Sequence, residues 1–330
     1  MIGFVPILVL FCRMCGYDAL VGVSIIVLAA GGSQSIGPVA PATTAIAQGF
    51  AELPVFSGIG YRIFLCAVFC LVNGFFIMRY AAKVKARPES SIVWDLEEEA
   101  RKKGFVEIPE QVKSLSTRQA LVLAIFLAST ALQVYGGIAL GWGNKETAVQ
   151  FVWLAVIGGL AGGLKPSEIA RTFGKGASKM MVAAIMIGIA TSISTILKDG
   201  KIIDTIVRAI AGCLMACPAF LQGPLMFLAN MAINFFIPSG SGQAAAVMPL
   251  MTPVADLIGM TRQTSVLAFN LGDGLCNYIL PHSSALMANL MAAGIGYDKW
   301  MKFMGRIFLV WILLSCLAMA AAQWMNYGPF

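Results

Sequence analysis

Residues 237–249 read IPSGSGQAAAVMP, a cluster of Pro, Gly and Ser inside an apolar run that extends from 219 to 258. Proline removes a backbone donor and glycine loosens the chain, so one helix cannot pass through this stretch unbroken. The run is also too long for a single crossing, which needs roughly 20 apolar residues. It is predicted as a re-entrant hairpin with its tip at 239–242. Two other apolar runs are interrupted in the same way, 18–50 by GPVAP (37–41) and 264–296 by LPHSS (280–284). Broken backbone at membrane depth is tolerated only where protein or a wet cavity satisfies it, so all three breaks point to one buried polar region.

The rest of the chain agrees with a membrane setting. Its 330 residues are 58% hydrophobic and only 12% charged, with mean hydropathy +0.81, too little charge to cover a soluble domain of this length. Further apolar segments fall at about 4–15, 60–80, 118–140, 148–164, 180–197 and 306–325. The formal charge of +7 is gathered in a few loops, with no basic stripe interleaved with aromatic residues, so it reads as topology and not as nucleic-acid binding. The fold class is an all-α, polytopic membrane protein in contact with the lipid bilayer. The N-terminal residues lack a basic n-region and a small-residue cleavage site and do not read as a signal peptide. The eight cysteines, at 12, 15, 66, 70, 213, 217, 276 and 316, mostly lie in apolar runs with no accompanying His cluster, where Cys acts as a small hydrophobe. GGLAGG (158–163) places glycines four apart; it reads first as packing within one subunit and second as the seam of a homodimer.

Sliding the chain against itself gives one ungapped match at an offset of 243. Pro6 meets Pro249, Gly16 meets Gly259, Gly31 meets Gly274 and Pro38 meets Pro281. Gly and Pro fix backbone breaks, so four coincidences in register imply two copies of one unit: hairpin arm, turn, helix, break, short helix. The predicted division is a partial first repeat (1–80), a linker (81–117) and a second repeat with a complete hairpin and broken helix (118–330). Within the linker SSIVWDLEEEARKKG reads as a short helix on the membrane surface, acids early and bases late. The Lys and Arg residues of 81–117, 165–179 and 297–306 are expected on the cytoplasmic side. Five crossings then separate the copies, which makes them inverted. Lys198, Lys201 and Arg208 fall on the outer side in this topology, and 201–216 is read as an outer-surface amphipathic helix.

Inverted repeats with helices broken at mid-membrane are the pattern of secondary transporters, whose half-helix ends hold substrate and coupling ion. At the hairpin tip Pro238, Gly240 and Gly242 allow the reversal, while Ser239, Ser241 and Gln243 offer hydroxyl and amide ligands. Gln243 is read as opening the returning helix, whose first amides favour an anion; the alternative is a tight turn in which Ser caps that helix. In NLGDGLCNYILPHSS (270–284), Asn270, Asp273 and Asn277 recur at spacings of three and four and share one helix face. Asp273 lies roughly 20 Å beyond Met260 at helical rise, deep enough to make an ionisable side chain costly and a functional candidate. Ser283 and Ser284 follow the break. His282, the sole histidine, reads equally as a proton relay or a structural imidazole. The first copy, GGSQSIGPVAPATTAIAQ (31–48), supplies Ser33, Gln34, Ser35, Thr43 and Thr44 but no charge, so the expected site is asymmetric.

These residues resemble the YfcC family, in the grouping of anaerobic dicarboxylate carriers related to DcuC. The likeness rests on NFFIPSGSGQAAAVMP, LAFNLGDGLCNYILP and TTAIAQGFAELPVFSGIGYR and covers nearly the whole chain. It implies the ion-transporter superfamily architecture, with members described as dicarboxylate carriers or basic amino-acid antiporters. Two departures stand out. Family members start well upstream, so this chain is expected to begin inside the first hairpin and, by itself, to show reduced stability and no specific uptake. An Asn-Pro-Phe-like sequence expected before Thr43 is replaced by Ala40-Pro41-Ala42. The leading expectation is a secondary carrier in the cytoplasmic (inner) membrane of a bacterium, moving a basic amino acid by antiport, with dicarboxylates second. The only inorganic participant expected is a coupling Na+ or H+. An enzyme is disfavoured because HExxH and GxSxG are missing and only one His is present, and a channel would not need paired broken repeats.

Overall fold

The computed structural model describes residues 4–36, 38, 40–54, 57–102, 116–140, 144–178, 181, 196 and 199–328. Among these every regular element is helical. The apolar segment predicted at 180–197 lies largely outside the described residues, as do Lys198 and 103–115. Two compact units are present, Met1–Val106 with Val182–Phe330, and Glu107–Met181.

The first unit begins with α1 (Val5–Met14) and α2 (Ala19–Ile36). A π-helical turn, Pro41–Ala45, leads straight into α3 (Ile46–Phe50), and α4 (Ile59–Ala86) follows. After a 3-10 turn at Pro88–Ser90 comes α5 (Trp94–Lys102). The second unit holds α6 (Thr117–Ala139), α7 (Asn144–Ala161) and α8 (166–178). The first unit resumes with α9 (Ile202–Met215), α10 (Ala219–Phe236), α11 (Gly240–Leu257), α12 (Arg262–Cys276), α13 (Ser284–Ala293) and α14 (Tyr297–Trp324).

The offset of 243 carries over into these elements. It sends α1 onto the second half of α11, α2 onto α12, and the continuous stretch Pro41–Phe50 onto α13. Gly16 and Gly259, the turn glycines of the two copies, both sit in the left-handed region, at φ 82° and 71°. The equivalent helices α4 and α14 run antiparallel: the Tyr61 hydroxyl donates to Ala318 O at 2.8 Å, Trp311 Nε1 donates to Asn73 Oδ1 at 2.8 Å, and Tyr80 meets Phe303 edge-on. Equivalent elements pointing in opposite directions are what an inverted repeat requires. Together with Ala219–Phe236, these two helices are the described helices long and apolar enough to cross a membrane by length and composition.

α10 and α11 form the predicted re-entrant hairpin. The start of α10 lies by the end of α14, where Gly223 N donates to Gln323 Oε1 at 2.8 Å. The end of α11 lies on the same side, because Asp256 and Glu52 both pair with Arg262 at 2.9 Å, beside the start of α4. The opposite side is closed by α5. Its Glu97 is buried and accepts from Arg13 Nε at 2.9 Å, Arg13 Nη2 at 3.0 Å and Ala19 N at 2.9 Å, which clamps the α1–α2 turn. Asp18 caps α2 through Val21 N and accepts from the Tyr80 and Ser91 hydroxyls at 2.6 Å each. The linker helix is therefore bolted to the first repeat.

In the second unit, Ser116 and Gln119 form a capping box on α6, and Gln150 of α7 donates to Ser129 O of α6. The predicted helix-packing glycines serve mostly at the end of α7. Gly163 has φ +87°, Gly162 faces Val122, and a methyl on Gly159 would strike Ile169 at 2.8 Å.

Candidate functional site

The GDG triplet of α12 determines how closely its neighbours approach. A methyl on Gly272 would lie 2.6 Å from Asn230 Cβ and 2.8 Å from Met231 N on α10. One on Gly274 would lie 2.2 Å from Ser35 Oγ on α2. Only glycine allows both approaches, and Asp273 is caught between them, 2% exposed. The hairpin tip closes the same space, since a methyl on Gly240 would lie 2.6 Å from Thr43 Cγ2 and 3.0 Å from Asp273 Oδ2. The tip of the second copy thus meets the break of the first at the buried carboxylate.

A ladder of amides supports Asp273. Asn234 Nδ2 donates to Asp273 Oδ1 at 2.8 Å and to Gln243 Oε1 at 2.9 Å, and Gln243 Nε2 donates to Asn230 O at 3.0 Å. Asn234 Oδ1, Thr43 Oγ1 and Ser35 Oγ are buried without hydrogen-bond partners. No ion pair to Asp273 occurs among the described residues. The region is therefore rich in oxygen acceptors and includes a carboxylate, the ligand set that suits a hard cation or an ammonium group.

One turn back along α12, Asn270 meets the first copy. Its side-chain oxygen, in the orientation that satisfies the network, accepts from the Thr44 hydroxyl at 2.5 Å and from Arg62 Nη1 at 2.8 Å, while its nitrogen donates to Val266 O at 3.2 Å. Arg62, on the first turn of α4, is fully buried. Beyond it lies a tight glutamine and serine cluster: Gln48 Nε2 donates to Gln263 Oε1 at 3.2 Å, Gln263 Nε2 to Ser57 O at 2.9 Å, and Ser57 Oγ to Gln263 Oε1 at 3.0 Å.

The structure brings together Gly240, Gln243, Asn270, Asp273, Thr43 and Thr44 from the sequence-derived set. Ser239 is the N-cap of α11, accepting from Gly242 N at 3.3 Å, so the capping alternative describes it; Gln243 stands in the first turn of α11, not at its start. Ser239 and Ser241 are exposed at the tip. Asn277 is the C-cap of α12 and donates to Asp273 O at 2.9 Å, stabilising the helix end. Ser283 is buried and caps α13 in position, and Ser284 after it is exposed. Ser33 and Gln34 belong to α2, with side chains outside the described residues. His282 stacks edge-on with Phe235 at 5.5 Å. Sequence reasoning missed Asn230, Asn234 and Arg62. The asparagines are polar residues four apart in an apolar helix, the same signal that singled out α12, and Arg62 is a charge at the start of a long apolar helix.

A buried carboxylate and a buried guanidinium are thus held where two inverted copies with broken helices meet, inside a multi-pass helical membrane protein. Residues 1–324 match the DcuC family, described as C4-dicarboxylate anaerobic carrier, and the chain belongs to that family. It is 31% identical over 323 residues to the "Putative basic amino acid antiporter YfcC" of Escherichia coli (strain K12), covering 94% of this chain and 63% of that protein. It is 30% identical over 307 residues to an uncharacterized protein of Haemophilus influenzae, covering 92% of this chain and 59% of that one. The chain spans less than two thirds of the length of both curated relatives. The crystal structure of the Alcanivorax borkumensis YdaH transporter aligns with a TM-score of 0.49 at 15% identity, over 98% of this chain and 75% of that one.

Proposed function

We propose that this chain is the core of a secondary active carrier of the bacterial cytoplasmic membrane that exchanges small charged metabolites, with basic amino acids as its principal cargo. The observation that carries the reading is the Asp273 region. A carboxylate 2% exposed, bonded to one amide and surrounded by unpartnered oxygens, is costly unless a cation visits it. An amino-acid ammonium is such a cation, and so is a coupling Na+ or H+. The name of the Escherichia coli relative leans the same way. Alternating exposure would come from the hairpin and the two breaks moving against each other, since they meet at this point.

Dicarboxylate carriage is the second reading, favoured by the family description. It would assign Asp273 to the coupling cation alone. Counterflow separates the two. Proteoliposomes carrying either this chain or the longer Escherichia coli relative would be preloaded with L-arginine or with succinate and given the labelled compound outside. Saturable arginine exchange that succinate does not compete supports the amino-acid reading. Succinate exchange alone transfers the function to dicarboxylates, and no exchange of either kind by either protein overturns the carrier.

A further inference from the structure

Arg62 is a buried charge that the reading above leaves unused. It is 0% exposed, and while Nη1 reaches Asn270, its Nε and Nη2 have no hydrogen-bond partner. The neighbouring Tyr327 hydroxyl donates to Gly58 O and gives the guanidinium a hydrogen-bonding oxygen, but no carboxylate pairs with Arg62 among the described residues. The nearby acids Glu52 and Asp256 both pair with the partly exposed Arg262. A guanidinium withdrawn from water with two nitrogens unsatisfied is costly unless an anion joins it. Guanidinium forks match carboxylates in geometry as well as in charge.

Its placement is as telling as its burial. Asn270, which holds Arg62, and Asp273 are three residues apart on α12 and so stand side by side, about 5–6 Å between Cβ atoms. The neighbouring residues Thr43 and Thr44 repeat the division. Thr44 bonds Asn270 at the arginine end, and Thr43 packs against Gly240 at the aspartate end. A guanidinium held by Asn270 and a carboxylate one turn along the same helix from that asparagine, each buried and with no ion pair between them among the described residues, suit the carboxylate and the ammonium of an amino acid. We propose that Arg62 binds the substrate carboxylate and forms, with Asp273, a two-pole site for a zwitterionic amino acid. The inference rests on the carrier reading, in which Asp273 is the ammonium pole, and it replaces the hairpin-tip amides with Arg62 as the anion pole.

The test is calorimetric binding to the purified 330-residue chain in nanodiscs, with L-lysine, cadaverine (lysine without its carboxylate) and succinate as probes. The wild-type chain is expected to bind lysine at least tenfold more tightly than cadaverine. Arg62→Gln is expected to bring lysine down to the level of cadaverine and leave cadaverine unchanged, and Arg62→Lys to recover part of the difference. Asp273→Asn is expected to weaken both amines. Equal affinities for lysine and cadaverine in the wild-type chain overturn the proposal with no variant needed, so a misfolded Arg62→Gln does not block the test. Full lysine binding by Arg62→Gln overturns it while the carrier reading stands. Succinate binding that needs Arg62 but not Asp273 overturns the two-pole site, and failure of lysine and succinate alike to bind the wild-type chain overturns the amino-acid reading along with it.

Discussion

A methyl group at Gly272 would lie within 2.8 Å of both Asn230 Cβ and Met231 N, and the latter is backbone that cannot swing aside. Gly272→Ala should therefore force α10 and α12 apart and cost about 1–3 kcal/mol. The measurement is the thermal midpoint in detergent, and an unchanged midpoint would mean the two helices do not meet there. Asp273→Asn makes the opposite kind of change. It keeps the shape and most of the hydrogen bonding with Asn234 and removes only the charge, so the protein should insert and melt as before. Exchange should fall by about thirtyfold or more, the equivalent of losing one buried charge partner at about 2 kcal/mol. Unaltered coupled flux would make Asp273 a structural residue. Its burial between Gly272 and Gly274 explains why the sequence places the acid in a GDG triplet.

At the level of elements, the linker helix and the hairpin tip have separate duties. Glu97 of α5 satisfies Arg13 and the first amide of α2 across 84 and 78 residues of sequence. Glu97→Ala leaves both donors facing nothing and should cost about 1–3 kcal/mol, with no effect on substrate selectivity. If its melting curve overlays that of the wild type, α5 does not hold the α1–α2 turn. The tip behaves differently, because Gly240 touches Thr43 and Asp273 together. Gly240→Ala should weaken substrate binding much more than it lowers the thermal midpoint, and calorimetry beside thermal unfolding would separate the two effects. A loss of stability without loss of binding would remove the tip from the site. Both breaks were legible beforehand, since Gly and Pro write them locally. The π-helical form of Pro41–Ala45 was not, because it depends on the helix that follows and on contacts with α11 and α12.

For the molecule as a whole, the antiparallel pairing of α4 with α14 separates two sides that differ in charge. Arg79, Lys83, Lys302 and Arg306 line one cleft between these helices, next to α5. By the positive-inside rule the concentrated Lys and Arg predict that this side faces the cytoplasm. Single cysteines at Glu89 and Ser241, in a background without the native cysteines, test it. An impermeant maleimide added outside should label Ser241→Cys and spare Glu89→Cys until the membrane is opened. External labelling at Glu89→Cys, or labelling at Ser241→Cys only from the cytoplasmic side, would reverse the topology.

The sequence by itself determined the membrane setting, the three broken runs, the twofold repeat and its inversion, and the candidacy of Asp273. All of these are written locally, in apolar length, in Gly and Pro, and in the rarity of charge inside an apolar run. Only the tertiary structure decided which polar groups meet. Asn234 reaches Asp273 across 39 residues, and Thr44 reaches Asn270 across 226. Nothing in either local stretch names its partner. Arg62 lies further still from such legibility, because a lone arginine near a helix start reads as an interfacial charge until packing removes it from water. Partner choice depends on which backbones can approach, and the glycines at 240, 272 and 274 settle that only once the helices are packed.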